Sequence, residues 1–287
     1  MHNLIMLERK AFNFLENWKN TKQNECLLIK GARQIGKTFI VREFAKNHYE
    51  NFIEINFEKN PEMKAAFDSS LDVENLIKEI TVRIPKVKFV PNKTLLFLDE
   101  IQACPQARTA LKFLAQQNNF DVIATGSLLG IKGYNKKKGK GVPTGFERVV
   151  YMKPMDFEEF LWAKGINENV IDYIRECYET KTPVSEATHQ AMLRYFKEYI
   201  CVGGLPYIVD RFISTNDMNV VWQEQHDIIE EYKDDFGKHL DENENEEIDF
   251  SLLGRINRVF DSIPAQLAKE NKKFVFSALE KKCRSEK

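Results

Sequence analysis

Five short apolar runs in the first half of the chain alternate with segments whose apolar residues recur every three or four positions. The runs predict strands at Cys26–Ile29, Phe52–Phe57, Thr94–Leu98, Asp121–Ala124 and Val149–Met152. Strands that alternate with helical patterns are typical of a parallel sheet with helices on both faces. An uninterrupted apolar run such as Leu95–Leu98 suits a strand at the centre of such a sheet. The pattern therefore predicts an α/β fold.

The second half of the chain has a different pattern, in which the apolar spacing is helical from residue 169 to about residue 240. A helix is expected to begin near Asp156, whose side chain can cap it together with Glu159. Breaks are expected at Lys181–Pro183 and at Gly203–Pro206, because proline and glycine interrupt helices. The region is therefore predicted to be mostly helical, with a winged helix as an alternative form.

Composition narrows the class of protein. The chain has 42 basic and 43 acidic residues, so its net charge gives no general attraction to nucleic acid or to anionic membranes. Its five cysteines form no C-x-x-C pair, which favours a reducing compartment over a disulfide framework or a zinc site. No apolar stretch reaches the length of about 18 residues that a membrane span needs, and the first residues do not resemble a signal peptide. We therefore expect a cytoplasmic protein that does not enter membranes.

The segment after the first predicted strand, Gly31–Thr38, reads GARQIGKT and fits the pattern G-x-x-x-x-G-K-[ST]. Glycines let such a loop curl so that its N–H groups face phosphate oxygens, and the next helix adds its positive amino end. In this pattern Lys37 reaches the β- and γ-phosphates of a nucleotide, and the hydroxyl of Thr38 reaches Mg²⁺. A glycine turn with an incidental lysine is disfavoured, because a buried strand precedes the motif and an amphipathic helix follows it.

The third predicted strand ends in two carboxylates, Asp99 and Glu100. Ligands of parallel sheets bind at the carboxyl ends of the strands, so Asp99 is expected beside the phosphate loop, where it would hold Mg²⁺ through water. Glu100 would then accept a proton from the attacking water. Two solvent-facing acids after a core strand would be the alternative if the phosphate motif were missing. An acid at this position favours hydrolysis of ATP over the phosphoryl transfer of a kinase.

Two further segments carry candidate chemistry. Thr125 and Ser127 follow the fourth strand, and either hydroxyl could contact the γ-phosphate or the attacking water, although a turn without a ligand would have the same composition. The segment Lys132–Lys140 is basic and glycine-rich. It could contact nucleic acid or phosphate, or it could be no more than a solvated loop.

The chain resembles a known family in the order of its motifs. These are GARQIGKT at Gly31–Thr38, LDEIQ at Leu98–Gln102, ATGS at Ala124–Ser127, MKPMDFEEFL at Met152–Leu161 and GGLP at Gly203–Pro206. They resemble the bacterial and archaeal AAA-type ATPases that carry a C-terminal domain of unknown function, near the STAND and archaeal-ATPase branch of the AAA+ superfamily. The resemblance implies a P-loop NTPase sheet flanked by helices, with an ATPase domain at residues 1–163 and a helical or winged-helix-like region at 164–287. Because such relatives continue further, we expect the C-terminal domain to be truncated.

The resemblance also implies roles for individual residues. Lys37 and Glu100 would be catalytic, with Thr125 and Ser127 as further candidates, and Thr38 and Asp99 would hold the metal ion. The expected nucleotide-binding set is Gly31, Ala32, Arg33, Gln34, Ile35, Gly36, Lys37, Thr38, Phe39 and Pro206. Pro206 is included because GGLP resembles an element that approaches the adenine in STAND-type proteins, although a helix-breaking turn explains it equally well. Arg148 could be an arginine finger or sensor, or a surface residue.

The favoured function is binding of ATP and Mg²⁺, hydrolysis of ATP to ADP and phosphate, and coupling of this reaction to a conformational change in the helical half. A nucleotide-gated switch or binding module with little turnover, in a defence or toxin-related system, is one alternative. A nucleic-acid-dependent ATPase is another, and a kinase is the least favoured. A protein partner is expected, but neither its identity nor the oligomeric state can be predicted.

Overall fold

The computed structural model describes residues 7–127, 145–241 and 250–271, with side chains left undescribed at 237–241 and 250. Contacts divide the chain into two compact units, Met1–Asn216 and Asp217–Lys287. The predicted domain boundary after residue 163 falls inside the first unit and stays a prediction. The basic segment Lys132–Lys140 and residues 242–249 of an acidic run lie outside the described residues.

A parallel sheet forms the centre of the first unit. Within the described residues its strands are β1 (Cys26–Gly31), β2 (Asn51–Asn56), β3 (Thr94–Asp99), β4 (Asp121–Ser127) and β5 (Glu147–Tyr151). Their order is β2-β3-β4-β1-β5, and every adjacent pair is parallel. All five predicted strands are confirmed, with bounds that differ from the predicted ones by at most three residues. The parallel arrangement brings the carboxyl ends of β1, β3 and β4 to one edge, which is called the carboxyl edge below.

Helices cover both faces of this sheet. Four of them are α1 (Ala11–Thr21), α2 (Lys37–His48), α3 (Val73–Arg83) and α4 (Pro105–Gln116), and short 3₁₀ helices span Pro61–Phe67 and Ile101–Ala103. Alternate residues of β3 point to opposite faces. Leu96 and Leu98 pack in a cluster with residues of α3 and α4, whereas Leu95 and Phe97 pack in a cluster with residues of α1 and α2. The sheet is therefore buried on both sides, as its uninterrupted apolar strands predict.

The first unit continues as helices after β5. These are α5 (Phe157–Ala163), α6 (Glu168–Thr180), α7 (Glu186–Val202) and α8 (Pro206–Thr215). The predicted cap of α5 is confirmed as a capping box, in which Asp156 and Glu159 each accept a hydrogen bond from the other's backbone N–H. Both predicted breaks are also confirmed, because α6 ends at Thr180 and α7 ends before Gly203. Pro206 is the first residue of α8, where its missing N–H leaves no helical hydrogen bond unmade.

The second unit contains α9 (Met218–Asp241) and α10 (Phe250–Leu267). Phe236 of α9 and Phe260 of α10 pack edge to face with their ring centroids 5.2 Å apart, and Lys233 forms an ion pair with Asp261 at 3.0 Å. Among the described residues from 157 onward there are helices and no strand, so the mostly helical prediction is confirmed and the strands of a wing are not found there. No helix in the described ranges combines the length and apolarity needed to traverse a bilayer.

Candidate functional site

The loop between β1 and α2 lies at the carboxyl edge. Gly36, the residue before α2, has φ +89°, a left-handed conformation that a glycine adopts without strain. This turn starts α2 at Lys37, and the first N–H groups of a helix have no partner within the helix. Together with the positive end of the helix dipole, they form a ready site for an anion. The sequence motif therefore has the strand, turn and helix that phosphate binding requires.

Lys37 is buried within this loop, with 5% of its surface exposed. Its Nζ donates to the carbonyl oxygens of Gly31 at 3.2 Å and Ala32 at 2.7 Å. Burial lowers the pKa of Lys37, whereas the charges of Glu100 and Asp99 act to raise it. A buried ammonium group whose hydrogen bonds go to neutral carbonyls is well placed to exchange them for phosphate oxygens, which carry charge.

Asp99 connects three strands and α2 at the carboxyl edge. Its Oδ2 accepts hydrogen bonds from Thr38 Oγ1 at 3.0 Å and from Asn56 Nδ2 at 2.8 Å. Its Oδ1 accepts one from the hydroxyl of Thr125. Asp99 is 1% exposed, and these donors satisfy both of its oxygens. The structure thus brings the phosphate loop and the predicted metal-binding carboxylate together, with Thr38 in contact with Asp99.

The donor set fits a magnesium ion. A hydroxyl oxygen and a carboxylate oxygen are hard ligands of the kind that Mg²⁺ prefers, and this ion usually keeps several waters and binds phosphate as well. Among the described residues, no group of three or more His, Cys, Asp and Glu side chains is arranged to hold a metal.

Glu100 has an unusual backbone conformation. Its φ is 51° and its ψ 50°, in the left-handed region that residues other than glycine rarely adopt. Its Oε2 accepts a hydrogen bond of 2.6 Å from Nε2 of Gln102. Strained conformations of this kind cost on the order of 1–3 kcal/mol and cluster at functional sites. The structure therefore places the predicted base beside the predicted metal-binding carboxylate, with its side chain held by the amide of Gln102.

The two hydroxyl candidates on β4 occupy different places. Thr125 is paired in register with Ile29 of β1, and its side chain contacts Asp99. Ser127 is paired with Gly31, the first residue of the phosphate loop, and it is buried. The sequence left open which of them faces the phosphate, and the structure puts Ser127 beside the loop and Thr125 on the carboxylate.

The remaining predicted residues lie around the loop. Ile35 is fully buried in the core below it, so only its backbone can face a ligand, whereas Phe39 on α2 is 39% exposed. Arg33 is 3.7 Å from Glu58, and Gln34 has a positive φ of 61°. Pro206 is close to the loop, since a Cβ built on Gly36 would lie 3.8 Å from its Cγ. The structure thus places Pro206 near the phosphate loop, although the two are far apart in the sequence.

Arg148 lies apart from the residues around the phosphate loop. It is paired with Leu27 near the start of β1, at the edge of the sheet opposite the phosphate loop. Its guanidinium group contacts Glu25 at 2.7 Å and the hydroxyl of Thr21 at 3.0 Å. Within the chain, Arg148 is therefore placed as one partner of a surface ion pair, which favours the surface interpretation.

Two polar residues of this site were missed from the sequence. Asn56 ends β2 and donates to Asp99, and the rule that pointed to Asp99, a polar residue at the carboxyl end of a predicted strand, could have found it. Arg9 donates from Nη1 to the carbonyl oxygen of Ile35 at 3.0 Å. It precedes every predicted strand and belongs to no motif, so the sequence offered no signal for it.

Comparison with known families gives two matches. Residues 23–161 match a family described as an AAA domain, and residues 193–287 match a domain of unknown function, DUF8612. No curated protein matches the chain.

Three solved structures illustrate what the fold is similar to. The Walker-type ATPase PABY2304 of Pyrococcus abyssi is 17% identical, with 91% of this chain and 79% of that chain covered and a TM-score of 0.46. AMPPCP-bound DnaA from Aquifex aeolicus is 14% identical, with 83% and 70% covered and a TM-score of 0.40. The Orc1 protein of Aeropyrum pernix in complex with DNA is 12% identical, with 97% and 77% covered and a TM-score of 0.39. At these scores the likenesses carry no functional inference.

Proposed function

We propose that this chain, whose residues 23–161 match a family described as an AAA domain, binds ATP with Mg²⁺ and hydrolyses it to ADP and phosphate. The observation that carries the proposal is the contact between Thr38 of the phosphate loop and Asp99, next to the buried ammonium group of Lys37. Each of these residues has the chemistry that one part of MgATP needs. Lys37 and Thr38 are the first two residues of α2, and Asp99 is brought to them from the end of β3, 61 residues after Thr38.

Each group has a distinct task in binding. The ammonium group of Lys37 neutralises charge on the β- and γ-phosphates, and the first N–H groups of α2 bind their oxygens. Thr38 and Asp99 would hold the metal ion, Asp99 through water. When bound, Mg²⁺ neutralises the charge that develops on the phosphate oxygens as the terminal bond breaks. Thr125 and Asn56 keep the Asp99 carboxylate oriented through their hydrogen bonds.

Glu100 is the proposed general base. Its carboxylate takes a proton from water as the water oxygen attacks the γ-phosphorus, and the bond from that phosphorus to the bridging oxygen of ADP breaks. The position of Glu100, directly after Asp99 at the carboxyl end of β3, supports this role. Ser127, buried beside Gly31, is the proposed hydroxyl contact to the phosphate.

The helical part would respond to the nucleotide through α8. This helix begins at Pro206, which is close to Gly36 of the phosphate loop. A ligand that changes the position of the loop would therefore act on the start of α8, which gives the proposed conformational coupling a physical route. The client of such a change and any protein partner stay predictions, as does contact with nucleic acid through Lys132–Lys140.

The test is a comparison of phosphate release by the wild type, Lys37→Ala and Glu100→Gln. We expect Lys37→Ala to lose nucleotide binding, and Glu100→Gln to keep ATP bound while turnover falls about a hundredfold or more. Lys46→Ala, which removes an exposed lysine of the same helix, is the matched control and should retain wild-type turnover. Equal rates in all four proteins would contradict the proposal.

A second candidate function is a nucleotide-gated switch with little turnover. The hydrogen bond from Gln102 to the Glu100 carboxylate favours it, because a carboxylate held in this way is less free to accept a proton. If the chain is such a switch, wild-type protein will bind ATP tightly and release phosphate slowly, and Gln102→Ala will release it severalfold faster. If Gln102→Ala releases phosphate more slowly than the wild type does, the hydrogen bond from Gln102 does not restrain the Glu100 carboxylate.

A further inference from the structure

Arg9 joins three segments of the first unit through one guanidinium group. Its Nη1 donates to the carbonyl oxygen of Ile35 at 3.0 Å, its Nη2 to the carbonyl oxygen of Lys153 at 2.8 Å, and its Nε to Oε1 of Glu159 at 3.1 Å. Arg9 is 7% exposed and Glu159 is 4% exposed, so the ion pair is buried. A planar group with several fixed donors suits such a junction, and a lysine in its place could not make all three contacts.

The contact to Ile35 concerns the phosphate loop itself. The side chain of Ile35 is buried in the core, and its carbonyl oxygen is held by Arg9, so this residue is fixed on both sides. A Cβ built on the next residue, Gly36, would lie 3.7 Å from Nη1 of Arg9. Arg9 therefore supports the loop at the turn from which α2 begins, while it donates to protein oxygens at all three of its contacts.

The contact to Glu159 extends this support to α5. Oε1 of Glu159 also accepts the backbone N–H of Lys10 at 2.7 Å, and Oε2 accepts that of Asp156 at 2.9 Å. Glu159 is thus one half of the capping box that starts α5. Through it, the phosphate loop and the first turn of α5 share a single buried charge pair.

The segment between β5 and α5 then leads back to the loop. Met155 donates its N–H to the carbonyl oxygen of Gly204 at 2.7 Å and accepts a hydrogen bond from the hydroxyl of Tyr199 on α7 at 2.9 Å. A side chain on Gly204 would overlap the carbonyl oxygen of Met155, so glycine is required for this approach. Two residues later, Cγ of Pro206 would lie 3.8 Å from a Cβ built on Gly36, so the start of α8 is close to the phosphate loop. The contacts form a closed circuit from the phosphate loop through Arg9, α5 and the start of α8.

We propose that Arg9 is a positioning residue that holds the phosphate loop in the conformation that binds MgATP and ties this conformation to α5 and α8. The inference rests on the proposed function. Its physical basis is preorganisation, since a loop that is already in its bound conformation does not have to be ordered by the ligand. Removal of the guanidinium group would leave the Glu159 carboxylate and two carbonyl oxygens buried without this donor, and the segments would move to regain water or other partners.

A second buried arginine pair provides a matched control. Arg108 of α4 forms a two-pronged ion pair with Glu147, with Nη2 and Oε1 2.6 Å apart, and their side chains are 5% and 6% exposed. Glu147 is paired with Cys26 at the start of β1, so this pair lies at the edge of the sheet opposite the phosphate loop. Loss of either arginine should lower stability, but only Arg9 reaches the loop.

The experiment measures MgATP affinity by equilibrium titration, and KM and kcat by phosphate release, for the wild type, Arg9→Gln and Arg108→Gln. All proteins are compared at a temperature where circular dichroism finds them folded. We expect both variants to melt at a lower temperature, while only Arg9→Gln binds MgATP roughly tenfold more weakly, with a larger rise in KM than loss in kcat. Arg9→Lys should fall between Arg9→Gln and the wild type in affinity.

If Arg9→Gln and Arg108→Gln bind MgATP equally well, the inference is wrong. A purely structural role of Arg9 would lower stability without weakening MgATP binding more than Arg108→Gln does. If Arg9→Gln does not fold, Arg9→Lys is compared with Arg108→Lys in the same way, and unchanged affinity again overturns it. Failure of the proposed function gives a different result, since the wild type itself would then neither bind nor hydrolyse ATP.

Discussion

The two edges of the central sheet are both rich in polar residues, but the polar side chains have different kinds of partner at each edge. At the opposite edge, called the amino edge because the parallel strands begin there, Asp121 is held by Lys22 at 2.6 Å and by the hydroxyl of Tyr49 at 2.7 Å, so a negative charge meets a positive one. At the carboxyl edge, the buried Lys37 donates to carbonyl oxygens, and Asp99 accepts from neutral donors. The Asp121 charge therefore has an ionic partner within hydrogen-bond distance, whereas Lys37 and Asp99 have neutral hydrogen-bond partners, an arrangement that suits the charged ligand we propose.

The difference teaches how a stable sheet can carry a reactive site. A buried charge that is compensated by hydrogen bonds from neutral groups keeps the fold intact, because its polar atoms have partners. Under the proposed function, the same arrangement leaves the positive charge of Lys37 for phosphate and the negative charge of Asp99 for a metal ion. Ion pairs at the surface, such as that of Lys93 and Glu50, contribute little to stability.

The largest expected effect on ATP turnover comes from replacing the carboxylate at the carboxyl edge, and the same replacement at the amino edge is its control. Asp99→Asn should lower ATP turnover by about a hundredfold or more, because the metal ion loses its carboxylate. Asp121→Asn should keep turnover within about twofold of the wild type and lower the melting temperature, since it breaks an ion pair. Phosphate release and thermal unfolding measure the two effects. Similar turnover in both variants would remove the functional distinction between the edges.

A smaller effect on kcat is expected when the asparagine at the carboxyl end of β2 is replaced, with the asparagine at the other end of the strand as its control. Asn56 ends β2 at the carboxyl edge and Asn51 begins it at the amino edge. Asn56→Ala should reduce kcat roughly tenfold, because Asp99 loses a hydrogen bond that orients it. Asn51→Ala should change kcat less than twofold, which makes it the matched control. If the two variants have the same kcat, Asn56 does not position the carboxylate.

The smallest effect concerns pH. Burial lowers the pKa of Lys37 below its ordinary value of 10.5, and bound phosphates would raise it again. Binding then takes up a proton once the pH exceeds the lowered pKa, so ATP affinity should fall severalfold as the pH rises towards 10.5. Lys37→Arg keeps its charge throughout this range and should show no such fall, although it binds more weakly. Titration with MgATP at several pH values distinguishes the wild type from Lys37→Arg. If ATP affinity depends on pH in the same way in the two proteins, Lys37 is not the titrating group.

The strands and the phosphate loop could be predicted because their signals are local. Leu95–Leu98 is buried on both faces and therefore uninterrupted by polar residues, and the motif at Gly31–Thr38 contains its own turn geometry. The capping box of Asp156 and Glu159 is equally local, because its partners are three residues apart. The break between α8 and α9 was missed, since Asn216 ends α8 in a left-handed conformation without a glycine or proline to mark it.

By itself, the sequence determined the positions of the five strands, the position of the phosphate loop and the pair of carboxylates at the end of β3. These depend on hydrophobic spacing and on backbone geometry over a few residues. Only the tertiary structure decided that Asn56 meets Asp99, that Arg9 supports Ile35 from a distance of 26 residues and reaches Glu159 over 150, and that Arg148 lies at the opposite edge. Such contacts depend on how segments that are distant in the chain pack together, and no short-range pattern of residue types encodes that packing.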